Sequence, residues 1–118
     1  MTKTLSGVSD VVIHLDDRWA ECQLARSGRP MFPSDGLVAA ITEDHHINTQ
    51  GIYLVSVLAR HAANGSRHLV LDDLLPEYAQ RLGLVGDNAL DVARQWAVVH
   101  VDALVRRGYI AVAGGGGA

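Results

Sequence analysis

"HVDALVRRGYIAV", residues 100–112, decides how the second half of this chain is read. An apolar-patterned stretch ends in two arginines, then a glycine and a tyrosine, and turns β-prone. Arginines are favoured at the carboxyl end of a helix, where they meet the negative end of its dipole. Gly108 suits the left-handed position just past a helix, and Tyr109 can fold back onto the last turn. The stretch therefore reads as the end of a helix followed by a strand, Tyr109–Val112.

Working back from it, residues 88–107 form the last and longest predicted helix, capped by Asp87 or Asn88. At 100° per residue, Ala89, Ala93, Trp96, His100, Ala103 and Leu104 fall in one broad stripe. Gly83 stops the helix before it, which opens at Asp72. Pro76 is expected in the first turn of that helix, because deeper it removes a backbone bond. "HLVL" (68–71) reads as a short strand. A strong helix precedes it, capped by Asn48 or Thr49 and ended by Asn64-Gly65. Its apolar residues Ile52, Val55, Leu58, Ala59 and Ala62 recur at three- and four-residue steps.

The first fifty residues are less regular. "DVVIHL" (10–15) alternates like a strand. Asp16 is expected to cap a helix over 17–26, with Trp19, Ala20, Gln23 and Leu24 near one face and Gly28 as its stop. "GRPMFP" (28–33) reads as a Pro-punctuated loop. Ser34 is expected to cap a short helix burying Leu37, Val38 and Ile41, and "EDHHINT" (43–49) to be a loop. "GGGGA" (114–118) reads as a flexible tail. The expected organisation is one domain over 1–113, with an extension (1–50) that packs on a core (51–113).

From Ile52 onward the order is helix, short strand, helix, tight turn, helix, strand. Carried by "LDDLLPEYAQRLGLVGDNALDVARQWAVVHVDALVRRGYIAV" (71–112), this order resembles the winged helix-turn-helix superfamily. The resemblance implies a mainly α fold with a small β-sheet, plus the N-terminal α/β extension. Tyr109–Val112 is then expected to pair with residues 68–71. The family's wing is a two-stranded hairpin with a basic tip, and only one strand fits here. The wing is therefore absent, or its second strand comes from the N-terminal "VVIHL".

The resemblance also implies that helix 88–107 enters the major groove of duplex DNA. Its exposed positions are then Asn88, Asp91, Arg94, Gln95 and Val98. Arg94 and Gln95 have the chemistry for guanine and adenine edges; the alternative for both is a solvated face. Asp91 suits cytosine but not phosphate. Arg60 and Arg67 would touch phosphate, or are ordinary surface arginines. Arg106, with Arg107, sits at the far end, where the helix dipole alone accounts for it. One face gathering Arg60, Arg67, Arg94 and Arg106 would favour DNA; arginines interspersed with Asp72, Asp91 and Asp102 would not.

Charge tempers that expectation. The net charge is −3, with four basic and seven acidic side chains in residues 1–50 and six of each thereafter. Nucleic-acid binders usually carry a basic excess. Val98, Val99, Val101 and Val105 are too many for a thin domain to bury, and contiguous exposed apolar surface usually marks a partner. Two readings follow. One is a small cytoplasmic transcriptional regulator, a homodimer on duplex DNA. The other is a protein-interaction module, either a complex subunit or a small inhibitor encoded by a mobile element.

Enzymatic chemistry has little support. "EDHH" (43–46) sets its groups too close together for one metal ion and reads as a polar capping loop. The single cysteine, Cys22, has no histidine near it in sequence, and no serine-nucleophile or phosphate-loop signature occurs. Asp72 and Asp73 open a helix, where carboxylates are stabilising. His100 reads as a core histidine, and Trp19 and Trp96 as packing anchors. No cofactor, no metal, no catalytic residue, no secretion signal and no membrane span are expected.

Overall fold

In the computed structural model, residues 11–113 are described. Helices α2 (Thr49–Ala63), α3 (Leu71–Leu82) and α4 (Ala89–Arg106) each contact the other two. They bury Leu54, Val55, Val57, Leu58, Leu74, Leu75, Tyr78, Ala93, Ala97 and Leu104 in one core. Local chemistry ends each helix where expected. Asn48 caps α2 by accepting the Gly51 N–H. Gly83 at φ +76° closes α3, and Gly108 at φ +78° follows α4. Asn88 stands at the start of α4 but its side chain makes no capping bond.

The sheet departs from expectation in one respect. Strand β1 (Val12–His14) lies between β4 (His68–Val70) and β5 (Ala111–Ala113), antiparallel to both. Ile13 faces Leu69 on one side and Val112 on the other. Tyr109–Val112 therefore does not pair with residues 68–71; the last strand is Ala111–Ala113 and it pairs with the N-terminal strand. The partner of the last strand is thus drawn from "VVIHL". The reason is burial: Ile13 and Leu15 are apolar and both are buried in the core. Leu15 N–H to Arg67 O (2.8 Å) and Leu71 N–H to Val11 O (3.0 Å) lengthen the β1–β4 ladder at both ends.

The segment after β1 corrects the sequence reading further. The helix expected over 17–26 is a single 3-10 turn, Asp17–Glu21, which buries only Trp19. Cys22 then turns extended, and β2 (Gln23–Leu24) pairs with β3 (Pro30–Met31) in a hairpin. The turn around Gly28, at φ +84°, closes with Ala25 N–H to Arg29 O. One apolar side chain is too little to hold a two-turn helix against a good turn sequence. "GRPMFP" is thus partly a strand.

Helix α1 (Leu37–Thr42) buries Leu37, Val38 and Ile41 as expected, but Ser34 does not cap it. Its cap position is Gly36, and the carboxylate of Glu21 accepts from Leu37 N–H (3.1 Å) and Val38 N–H (3.4 Å). A cap from sixteen residues away joins the two halves of the extension. Pro76 is also corrected: it lies in the second turn of α3, not the first. It is exposed there, on the side where the carbonyl that loses its donor can meet water.

Glycine at 36 is required by this cap, because a Cβ there would overlap the Glu21 carboxylate. Gly36→Ala is expected to expel the carboxylate and lower stability by about 1–2 kcal/mol, the usual cost of losing a cap. Urea unfolding with an unchanged midpoint would contradict the assignment.

Candidate functional site

The tight turn after Gly83 sets α4 across α3 and leaves one long face of α4 free. On it Asp91, Gln95, Val98, Val99, Asp102 and Arg106 are exposed, following the helical period. Val98 is 46% exposed and Val99 62%. Trp96, at 37%, stands at the edge of this face rather than inside the core. Leu90, in the first turn, is 47% exposed. His100 and Leu104 on the opposite side are buried, as the stripe requires.

The arginines expected to meet DNA are engaged within the protein. Arg94 lies 3.4 Å from Asp72 and 3.5 Å from Asp91. Arg106 pairs with Asp102 at 2.9 Å. Arg67 spends its guanidinium on the carbonyls of Ala62 and Ser66, at the end of α2. Arg60 makes two bonds of 2.6 Å to Glu77. Asn88, Asp91 and Gln95 are exposed. Arg94 and Arg106 therefore stand among Asp72, Asp91 and Asp102, while Arg60 is held by Glu77 and Arg67 by backbone carbonyls.

Glu77 is a hub that sequence spacing hides in part. It receives Arg60, Arg81 (3.1 Å) and His61 (3.1 Å), which brings α2 and α3 together beside an open cleft lined also by Pro76 and Gln80. The Glu77–Arg81 pair is an i,i+4 pair and legible from sequence; the Arg60 contact crosses helices and is not. The Arg60 guanidinium, seconded by Arg81, holds the Glu77 carboxyl down at about 2.

Asp44 is a second hub. It accepts from the Tyr109 hydroxyl, from Arg107 Nε (2.9 Å) and from the His46 N–H (2.8 Å). The Tyr109 hydroxyl and then the His46 N–H hold its carboxyl well below the usual range. In return Asp44 pushes the Tyr109 hydroxyl up. Asp44 thus clamps the exit of α4 through side chains; the part of "EDHH" in helix capping is the Glu43 backbone N–H at the end of α1, while α2 is capped by Asn48. Cys22 is buried, and burial pushes its thiol up, away from the reactive thiolate. Among the described residues no group of three or more His, Cys, Asp or Glu side chains is placed to hold a metal ion, and no helix is long and apolar enough to cross a membrane.

Comparison with protein-family models, with curated proteins and with solved structures finds no match to this chain.

Because the Glu77 carboxyl is held lower in the folded chain than in the unfolded one, its contribution is present above pH 4.5 and is lost as pH falls toward 2. The effect is on the order of 2–3 kcal/mol. Thermal unfolding across that window is expected to show a steep acid limb that Glu77→Gln flattens. Parallel acid limbs in the two proteins would contradict the hub.

Proposed function

We propose that this chain is a protein-interaction module of winged-helix type, in which α4 engages another polypeptide instead of DNA. The observation that carries this reading is the composition of the outer face of α4. Val98 and Val99 are exposed on either side of a centre line of Gln95 and Asp102, Trp96 is exposed beside Val99, and the neighbouring arginines are neutralised by Asp72, Asp91 and Asp102. A phosphate backbone needs uncompensated cations. Exposed valines interleaved with compensated charges of both signs suit a polypeptide partner better. The winged-helix reading is supported by three helices in sequence, a short strand between the first two, and a strand after the third that pairs with β1 as a reduced wing.

A second copy of the chain satisfies this surface. If two α4 helices run antiparallel, centred between Val98 and Val99, then Val98 faces Val99, Asp91 faces Arg106, and Gln95 faces Asp102. Such an isologous contact is self-complementary in shape and in charge. Light scattering is expected to show concentration-dependent doubling of mass. Val98→Asp is expected to weaken it by about tenfold or more, because an unpaired carboxylate enters the apolar centre. A monomer at every concentration would contradict the self-docking version.

The regulator reading keeps one specific support: Asn88 and Gln95 are exposed on the outer half of α4, and the Arg94 pairs are long enough for a phosphate or a base edge to displace. Retention on duplex DNA against salt separates the two. Little retention and a flat salt slope are expected. Strong retention with a steep slope, abolished by Arg94→Ala with Gln95→Ala, would favour the regulator.

A further inference from the structure

In the three-stranded sheet Ile13 and Leu69 are buried, so Val12, His14, His68 and Val70 stand on the other, open side. There His14 and His68 are direct cross-strand partners. The bonds of this ladder fall on either side of them, from Leu15 to Arg67 and from Leu71 to Val11. The His14–His68 pair is therefore of the narrow, non-hydrogen-bonded kind, in which Cα atoms are about 4.5 Å apart and side chains lie closest.

The two rings meet edge to face with centroids 4.5 Å apart. Two imidazole nitrogens each about 2.1 Å from one metal ion place their ring centres about 4.5–5 Å apart, which is the separation the strands already hold. Rotation about χ2, a soft torsion, aims one nitrogen of each ring at a common point. On the other side of His14 stands Ala111, exposed and too small to cover the ring.

The other histidines are placed differently. His46 lies against Asp44 and His61 against Glu77, while His100 is buried. Among the described residues no carboxylate pairs with His14 or His68. A neutral imidazole carries one lone pair, and two of them side by side form a donor set for a cation of intermediate softness.

The geometry points to a two-imidazole chelate, His14 with His68, for a divalent cation of the nickel, copper or zinc class. Magnesium and calcium take oxygen ligands and are not suited to it. Among the described residues no third His, Cys, Asp or Glu joins the pair, so the other coordination positions are left to water. The ion ties β1 to β4. Residues 14 and 68 meet only in the folded chain, so binding stabilises that chain. The site does not depend on the docking proposed for α4.

Titration of the full, untagged chain with nickel chloride, followed by NMR, tests the assignment. Nickel is paramagnetic, and the bound ion is expected to broaden the ring and amide signals of His14 and His68 before those of His45 and His46. Thermal unfolding is expected to move upward with nickel or zinc and to stay in place with magnesium. His14→Gln and His68→Gln, both on the open side of the sheet, are each expected to weaken nickel binding by about tenfold or more and to remove the thermal shift. His46→Gln is expected to change neither. Val98→Asp, which disrupts self-docking, is expected to leave nickel affinity unchanged. Broadening that begins at His45 and His46, an equal response to magnesium, or folded His14→Gln and His68→Gln proteins that bind nickel as the parent does would each overturn the assignment.

Discussion

Strand β1 is the constraint on which the remainder depends. β4 and β5 are three residues each and do not touch one another; β1 pairs with both. Two-stranded ribbons of that length are marginal in water, and a third strand backed by a core is what makes them persist. The ladder alternates, so Ile13 is bonded toward β4 and its neighbours Val12 and His14 toward β5. Just beyond it Trp19 donates from Nε1 to Tyr109 O at 3.0 Å, and Arg18 donates to Gly108 O at 2.6 Å. The N-terminal segment therefore holds the exit of α4 from two directions, and the Asp44 hub holds it from a third. What sequence presents as an extension is structurally the centre of the domain.

Fixing the exit of α4 fixes which of its faces looks outward. The buried side supplies Ala93, Ala97, His100, Val101 and Leu104 to the core, where replacing a single leucine by alanine costs about 2–5 kcal/mol. The outward ion pairs each contribute about 1 kcal/mol or less. Their importance lies in what they leave behind: a helix whose cations are compensated and whose valines are not covered. That combination is what the proposal of a polypeptide partner rests on.

Sequence carried much of this and failed in definable places. The three helices, their glycine stops and the strand at His68–Val70 follow from periodicity and turn chemistry, which are local. The expected core side chains Trp19, Leu37, Val38 and Ile41 are buried. Several of the failures are long-range. The Glu21 cap on α1, the Arg60–Glu77 contact and the Asp44 contacts with Arg107 and Tyr109 join groups from different elements, and no spacing rule signals them. The pairing of β5 with β1 rather than β4 is of the same kind: short strands carry too little pattern to name their partners. Residues 17–26 failed for a local reason, since the turn at Ser27-Gly28 outweighed a weak helical stripe. Trp96 was misplaced because its stripe position lies on the border between core and solvent. The expected tail at 114–118 lies outside the described residues.

Native-state hydrogen exchange at the amides of Val12, Ile13 and His14 addresses the central strand most directly. With β1 between its two neighbours, all three amides should be slow together, at the rate of the Leu54 and Leu58 amides in α2. Fast exchange at these three positions while α2 remains protected would mean that the N-terminal strand is an ornament, and would remove the basis for the orientation of α4.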